Sequence, residues 1–418
     1  MTFPMRPRPG ADIATRSSRA QRPLRIAQVA PAIEQVPPAA YGGTERIVHE
    51  LTTKLVEAGH DVTVFASGDS NVPGRLIPTV ERALRPIGVS DFRSSYETTI
   101  EMVRERMGEF DVIHSHLESW SIPLAKSASV PVVSTFHGRL DLPWTAHAFD
   151  SPPDGIVAIS RSQASAHPNL PWTIIHNGLT LDRAPYRQDP SDALCFVGRV
   201  DPEKGIVEAM DIARRTGRRL RIAAKVGTLR HQVDYYEQVF KPALKKAGPS
   251  IEYLGELEPH DRDQLFADSA ATLMPHTWPE PFGLVCIESL ACGTPVLARR
   301  VGGLPEIIRE GVDGYFCDDV TAFAFFLDRV PTLDRAAIRS RVIDRFSARR
   351  MADRYQELYT RMVDQHAIAA SRAATASRAG MASREQRGGM SGARSETRAE
   401  ARADARARGG RIESATSA

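Results

Sequence analysis

Residues 271–298, ATLMPHTWPEPFGLVCIESLACGTPVLA, hold two short apolar runs separated by a helical segment. Ala271–Met274 predicts one strand, a helix begins near Gly283, and Pro295–Ala298 predicts a second strand. Neither run alternates between polar and apolar side chains, which is typical of strands covered on both faces. The stretch therefore predicts a β-α-β unit of a parallel sheet.

The same alternation runs through most of the chain. Further strand-like runs lie at 24–30, 61–65, 111–114, 131–135, 155–159, 172–175, 194–197, 220–224 and 251–254. A helix with Thr44 as its cap carries Ile47, Val48, Leu51 and Leu55 on one face and ends at Gly59. Repeated β-α units of this kind predict parallel sheets with helices on both faces.

A segment rich in Asn, Gly, Asp and Pro, residues 177–190, interrupts the repeat and is interpreted as a linker. The fold class predicted is therefore α/β, with two doubly wound Rossmann-like domains, 24–180 and 191–345, facing each other across a cleft. A helix at 346–365 follows, and we expect it to return to the first domain. Ligands of such sheets bind beyond the carboxyl ends of the strands.

Composition narrows the class of protein. The 418 residues are 42% hydrophobic and 25% charged, and no apolar run reaches the about 18–20 residues of a membrane span. The four cysteines are too scattered for a disulfide framework, and no secretory signal is expected, because no apolar stretch follows the N-terminal arginines. We expect a cytoplasmic enzyme, with peripheral contact at the inner face of the membrane left open.

The two ends of the chain differ from its body. Residues 1–25 hold six Arg against one Asp, and residues 366–418 hold ten Arg against five acids, so the net charge of +3 comes from the ends. Because large apolar side chains are scarce there, segments 1–23 and 366–418 are predicted to be disordered. No aromatic residues are interleaved for base stacking, so no nucleic-acid partner is expected.

The loop between the two quoted strands carries the strongest chemical signal. A helix N-terminus at Gly283 offers unpaired N–H groups to an anion, and glycine lets that anion approach closely. Glu280 precedes the helix and Glu288 lies within it, and carboxylates accept hydrogen bonds from hydroxyls. An anion flanked by hydroxyl groups describes a sugar nucleotide. Alternatively, both glutamates are ordinary helix and surface acids.

Two other loops supply matching groups. Arg199 follows a strand and Lys204 opens the next helix, so both can bind a diphosphate, although both could also be helix-flanking surface cations. Gly42 and Gly43 lie in the turn after the first strand, where they allow close approach of a phosphate. The turn lacks the spacing of a dinucleotide-binding loop.

Three histidines follow neighbouring strands of the first domain. His114, His116 and His137 could ligate zinc, and a zinc hydrolase is kept as an alternative. A polar contact from His137 to substrate is the favoured interpretation, and a purely structural histidine is the other. No metal site is predicted.

Together these motifs resemble the retaining family 4 glycosyltransferases of GT-B architecture. The residues that carry the resemblance are Tyr41-Gly-Gly-Thr-Glu-Arg, Phe136-His-Gly, His176-Asn-Gly, Gly198-Arg with Lys204-Gly, Pro279-Glu-Pro-Phe-Gly with Glu288, and Ala291-Cys-Gly-Thr-Pro-Val. The similarity covers residues 24–363. It implies a transferase that moves a hexose-type sugar from a nucleoside diphosphate sugar, needs no cofactor and needs no metal ion.

The resemblance also implies a role for each residue. Arg199 and Lys204 would bind the diphosphate, Glu280 the donor sugar, Glu288 the ribose, and His137 the sugar from across the cleft. The remaining binding residues would be Gly42, Gly43, Phe282, Gly283, Leu284 and Val285. Another sugar-nucleotide enzyme, such as an epimerase, and a non-catalytic sugar-nucleotide-binding protein remain the rivals. The acceptor, whether lipid, polysaccharide or small molecule, is not determined by the sequence.

Overall fold

A parallel sheet of seven strands forms the centre of the first domain in a computed structural model, which describes residues 22–39 and 42–409. The strands are β1 (Arg25–Val29), β2 (Asp61–Ser67), β3 (Arg75–Val80), β4 (Val112–Ser115), β5 (Val132–Phe136), β6 (Ile156–Ala158) and β7 (Thr173–Ile174). They pair in the order β3-β2-β1-β4-β5-β6-β7. The helices of this domain are α1 (Gly43–Glu57), α2 (Arg93–Arg106), α3 (Ser121–Ser127) and α4 (Arg161–Ala164).

The second domain repeats the arrangement with six parallel strands. They are β8 (Leu194–Arg199), β9 (Leu220–Lys225), β10 (Ile251–Gly255), β11 (Ala271–Met274), β12 (Val296–Ala298) and β13 (Gly314–Phe316), in the order β10-β9-β8-β11-β12-β13. The helices are α5 (Ile206–Thr216), α6 (Arg230–Tyr235), α7 (Lys241–Ala247), α8 (Pro259–Asp268), α9 (Leu284–Ala291), α10 (Leu304–Ile307), α11 (Val320–Leu327) and α12 (Arg335–Phe346). The predicted α/β class with two doubly wound domains is confirmed.

Helix α1 shows how closely the sequence pattern matches the structure, and where it does not. Ile47, Val48, Leu51 and Leu55 are all buried, as the apolar spacing predicts, and Gly59 takes a left-handed φ of 88° after the helix. The prediction that Thr44 caps the helix is wrong. The helix begins one residue earlier, at Gly43, and its N-cap residue Gly42 has no side chain to accept a hydrogen bond.

The chain passes between the domains beside the start of the last helix, α13 (Ala348–Gly409). The Leu179 N–H donates to the carbonyl of Phe346 at 3.0 Å, and the Ala348 N–H donates to the carbonyl of Leu179 at 2.9 Å. A Cβ on Gly178 would lie 2.3 Å from the Ser347 carbonyl oxygen, so only glycine allows the two segments to approach so closely.

The first turns of α13 pack against the first sheet. Tyr355 and Tyr359 are both fully buried, and their hydroxyls hydrogen bond to Thr135 of β5 and Gln28 of β1. The helix thus joins the end of the second domain to the core of the first.

From Thr360 onward α13 forms a unit of its own, and the prediction of disorder for residues 366–418 differs from the structure, which is helical to Gly409. Alanine and arginine are among the strongest helix formers, so the composition that prevents a packed core still favours a helix. Residues 410–418, and residues 1–21 of the predicted basic tail, lie outside the described residues. Within the part that is described, no helix combines the length and apolarity needed to cross a bilayer.

Candidate active site

The carboxyl ends of the two sheets meet at a cavity of about 370 Å³ that is lined by both domains. Ten of the eleven predicted site residues line it: Gly42, Gly43, His137, Arg199, Lys204, Glu280, Phe282, Gly283, Leu284 and Val285. The eleventh, Glu288, lines an adjoining cavity of about 130 Å³ that shares Gly42, Gly43, Leu284 and Val285. The structure therefore brings the whole predicted set together.

Glu280 and Lys204 form an ion pair in this cavity. The indole N–H of Trp278 donates to the same carboxylate oxygen of Glu280 at 2.8 Å, and the Lys204 ammonium lies 4.6 Å from the centre of the Trp278 ring. Burial alone would raise the pKa of Glu280, but the charge of Lys204, with a contribution from His276, lowers it to about 2. Glu280 is consequently a carboxylate at neutral pH.

Two glycines hold the backbone of Glu280 in place. A Cβ on Gly302, which has a left-handed φ of 56°, would lie 2.2 Å from the Glu280 carbonyl oxygen. The neighbouring Gly303 N–H donates to that same oxygen at 2.7 Å. These two glycines were not predicted as part of the site, although the Gly-Gly pair after β12 is visible in the sequence.

Gly283 begins α9 with a left-handed φ of 114°. A Cβ at this position would lie 2.8 Å from the Cδ2 atom of Leu304, so a larger residue is excluded both by conformation and by space. The first N–H groups of α9 have no partners within the helix and belong to residues that line the cavity. The cavity thus has a positive backbone end beside the carboxylate of Glu280.

Glu288 lies one turn further along α9 and is buried. It forms ion pairs with two arginines, Arg46 of α1 and Arg262 of α8, the second at 3.1 Å. Burial would raise the pKa of Glu288, but the two guanidinium groups outweigh it and lower the pKa below its ordinary value. Because Arg46 belongs to the first domain, this ion pair joins the two domains. Neither arginine was predicted, since only the fold brings them to Glu288.

Arg199 ends β8 at the cavity wall. Its Nε atom is buried and has no hydrogen-bond acceptor among the described residues, and Nη1 lies 3.9 Å from Asp201. A buried donor without an acceptor costs about 1–3 kcal/mol. An anion in the cavity would supply the missing acceptor.

His137 lies on the opposite wall, in the loop after β5. Its backbone N–H and that of Gly138 donate to one carboxylate oxygen of Glu118, at 2.9 and 3.0 Å. Burial raises the pKa of Glu118 to about 7 in spite of these two hydrogen bonds. Glu118 itself has a φ of 51°, the one left-handed non-glycine residue in the described chain. This glutamate was not predicted as part of the site.

The histidine cluster is held by hydrogen bonds within the protein. His116 contacts the His137 ring at 2.9 Å and Gln28 at 2.9 Å, while His114 contacts Tyr359 at 2.6 Å and Thr135 at 2.7 Å. Both ring nitrogens of His114 and of His116 are therefore engaged, and neither ring offers the free nitrogen that a zinc ligand needs. Among the described residues no group of three potential metal ligands is found.

Two family models match consecutive parts of the chain. Residues 41–183 match the family model Glycosyltransferase Family 4, and residues 181–328 match the model Glycosyl transferases group 1. The boundary between the two matches falls in the linker that separates the domains.

Individual known proteins are also similar to this chain over most of their length. A glycogen synthase of Mycobacterium tuberculosis is 29% identical over 401 residues, covering 81% of this chain and 92% of the relative. The solved structure of sucrose-phosphate synthase from Thermosynechococcus elongatus has a TM-score of 0.66 at 19% identity, covering 82% of this chain and 99% of the other. Anabaena HepE in complex with UDP-glucose has a TM-score of 0.64 at 16% identity, with coverages of 81% and 99%.

Proposed function

Because this chain belongs to the family 4 glycosyltransferases, we propose that it transfers a hexose-type sugar from a nucleoside diphosphate sugar to an acceptor, with retention and without a metal ion. The observation that carries the proposal is the cluster of positive groups at the cavity. Arg199, Lys204 and the first N–H groups of α9 all line it, and all can hold a diphosphate.

Two carboxylates flank that phosphate position. Glu280 accepts hydrogen bonds from hydroxyls of the donor sugar, and Glu288, in the adjoining cavity, accepts them from the ribose. Both glutamates stay ionised because neighbouring cations lower their pKa values. Gly42 and Gly43 allow the first domain to approach the phosphates from the other side.

We attribute catalysis to stabilisation of the charge that develops in the transition state. When the bond between the sugar and the diphosphate breaks, negative charge develops on the diphosphate and positive charge on the sugar ring. Arg199, Lys204 and the helix N–H groups are already in place to stabilise the negative charge. These protein cations take the part that a divalent metal plays in other transferases, and this supports metal independence. Retention rests on the resemblance to family 4, in which the diphosphate takes the acceptor proton on the same face.

The acceptor would bind on the first-domain wall, near His137 and Glu118. The HepE complex makes UDP-glucose the first donor to examine.

The test is a panel of sugar nucleotides supplied with candidate acceptors, with products followed by mass spectrometry and the anomeric configuration by NMR. We expect release of a nucleoside diphosphate together with a glycosylated product of retained configuration, at the same rate in excess chelator. An epimerised sugar nucleotide without transfer would overturn the transferase proposal. Loss of activity in chelator, restored by a divalent ion, would overturn metal independence.

A further inference from the structure

A continuous series of hydrogen bonds leads from His137 into the core of the first domain. His137 Nε2 lies 2.9 Å from His116 Nδ1, and His116 Nε2 lies 2.9 Å from the carboxamide oxygen of Gln28. The Gln28 carboxamide nitrogen donates to the hydroxyl of Tyr359 at 3.2 Å. His137, at the cavity, is thus linked to Tyr359 of α13 through the buried side chains of His116 and Gln28.

The series continues beyond Tyr359. The Tyr359 hydroxyl lies 2.6 Å from His114 Nδ1, His114 Nε2 lies 2.7 Å from the hydroxyl of Thr135, and that hydroxyl lies 2.9 Å from the hydroxyl of Tyr355. The Tyr359 hydroxyl has a single hydrogen. When it donates this hydrogen to His114, its lone pair is free to accept from the Gln28 carboxamide nitrogen.

The orientation of the Gln28 carboxamide determines which nitrogens carry hydrogen. The structure places the carboxamide oxygen of Gln28 toward His116 and its nitrogen toward Tyr359; with the amide in this orientation His116 Nε2 is the protonated nitrogen of that ring, because a carboxamide oxygen only accepts. Burial lowers the pKa of His116 well below its ordinary value, so the ring is neutral and its Nδ1 is a bare acceptor. His137 Nε2 must then carry a hydrogen. Since burial lowers the pKa of His137 to about 4, its Nδ1 is bare as well.

We propose that Gln28 and Tyr359 are positioning residues that fix the Nε2–H tautomer of His137, so that its Nδ1 accepts a hydrogen bond from a hydroxyl of the donor sugar. The part that concerns the sugar rests on the proposed function, whereas the tautomer itself does not. His137 is then an acceptor at this wall and not a proton donor. Tyr359 belongs to α13, which follows the whole second domain in the sequence and packs against the first sheet.

The test is NMR of the full-length protein labelled with ¹⁵N in histidine, without ligand, with His137 assigned from the signal lost in His137→Gln. We expect a protonated Nε2 and a bare Nδ1 for His137 in the wild type. In Tyr359→Phe the Gln28 nitrogen loses its acceptor, so we expect the two tautomers of His137 to mix. Tyr355→Phe is the matched control, because its hydroxyl contacts Thr135 at the far end of the series.

Three outcomes would overturn the proposal: an Nδ1–H tautomer in the wild type, a charged ring, or an unmixed Nε2–H signal in a folded Tyr359→Phe. If Tyr359→Phe does not fold, Gln28→Glu replaces it. Its carboxylate still accepts from His116, so His137 should keep Nε2–H, and a change to Nδ1–H would contradict the account. The wild-type spectrum tests the tautomer in either case.

Kinetics separate positioning from a merely structural role. In Tyr359→Phe we expect kcat/KM for the sugar nucleotide to fall about five- to tenfold, the value of one hydrogen bond, while the affinity for free nucleoside diphosphate is unchanged. An equal loss of nucleoside diphosphate affinity would mark a structural effect and contradict the proposal. Because the NMR measurement needs no ligand, failure of any sugar nucleotide to bind would refute the proposed function and leave the tautomer assignment standing.

Discussion

The two walls of the cavity shift the pKa values of their carboxyl groups in opposite directions. On the second-domain wall, neighbouring cations lower the pKa of Glu280 to about 2 and that of Glu288 below its ordinary value. On the first-domain wall, burial raises the pKa of Glu45 and of Glu118 to about 7. Glu280 and Glu288 are thus held as carboxylates by neighbouring cations, whereas burial favours the protonated forms of Glu45 and Glu118.

This difference follows from what surrounds each glutamate. Lys204 pairs with Glu280, and Arg46 and Arg262 pair with Glu288, whereas Glu118 accepts only backbone N–H groups. Charged groups suit a substrate whose charge changes during reaction, and neutral groups suit the binding of hydroxyls. We therefore propose that the second-domain wall supplies the charge stabilisation together with the carboxylate acceptors Glu280 and Glu288, and that the first-domain wall adds further contacts to hydroxyls.

The largest expected effect comes from neutralising Glu280. In Glu280→Gln we expect the fold to be kept and activity to fall about 10²-fold or more, because an ionised acceptor at the donor sugar is lost. Turnover of the sugar nucleotide under saturating conditions measures this. Glu310→Gln, which removes an exposed carboxylate paired with Arg300, is the control and should be active. Wild-type turnover in Glu280→Gln would remove Glu280 from the site.

Removing the cations should weaken diphosphate binding. We expect Arg199→Met and Lys204→Met each to lower the affinity for UDP about 10- to 100-fold, the value of a hydrogen bond to a charged group. Titration calorimetry with UDP measures the change. Lys241→Met, on the exposed surface of the second domain, should bind UDP as the wild type does. Unchanged affinity in both site variants would show that the second-domain wall does not bind the diphosphate.

Glu118 should affect how stability depends on pH. Its pKa of about 7 in the folded chain exceeds the ordinary value of 4.5, so the folded state holds this proton more tightly than the unfolded state. The wild type should therefore lose stability as pH rises from about 4.5 through 7. Glu118→Gln has no titrating group at this position. Its free energy of unfolding should therefore fall by about 1–3 kcal/mol less than that of the wild type over that range.

Urea unfolding at pH 5 and pH 8 measures the effect of Glu118→Gln. Glu101→Gln, an exposed residue of α2, is the matched control and should follow the wild type. Parallel pH profiles for Glu118→Gln and the wild type would contradict the raised pKa and weaken the contrast between the walls.

Arg46 gives the smallest expected effect. It pairs with the buried Glu288 where the ribose is proposed to bind, but Arg46 itself is 27% exposed and Arg262 remains as a second partner of that carboxylate, so we expect this pair to contribute about 1 kcal/mol. Arg46→Met should therefore raise the affinity for UDP by up to about fivefold, because the ribose no longer displaces the guanidinium. Calorimetry measures it, with Arg75→Met as an exposed control in the first domain. Weaker binding in Arg46→Met would mean that Arg46 contacts the nucleotide itself.

Much of the fold could be predicted because buried parallel strands read as unbroken apolar runs. The strand Ala271–Met274 has the predicted bounds, and most others lie within a residue or two of them. Two strands were missed. β3 (Arg75–Val80) is a partly exposed edge strand that contains Pro78, and β13 (Gly314–Phe316) has only three residues, so neither gives a strong periodic signal.

The residues of the candidate site could likewise be predicted only where the sequence carries a local signal. Glu280, Arg199 and His137 were found because each follows a strand, and strand ends converge at one edge of a parallel sheet. Their partners were not found. Arg46 lies 242 positions from Glu288, and Tyr359 lies 331 positions from Gln28, so these contacts exist only in the folded chain. The continuation of α13 beyond residue 365 was missed because disorder was inferred from the lack of apolar side chains, without weighing the helix propensity of alanine and arginine.

Calorimetric titration of the wild type and Glu280→Gln with UDP-glucose and with UDP tests the central division of labour most directly. If the second-domain wall holds the diphosphate and Glu280 holds the sugar, Glu280→Gln should bind UDP at least as tightly as the wild type, because its Lys204 is no longer paired, and only the wild type should bind UDP-glucose more tightly than UDP. Should neither ligand, nor any other sugar nucleotide or nucleoside diphosphate, bind the wild type, the assignment of this cavity would be wrong.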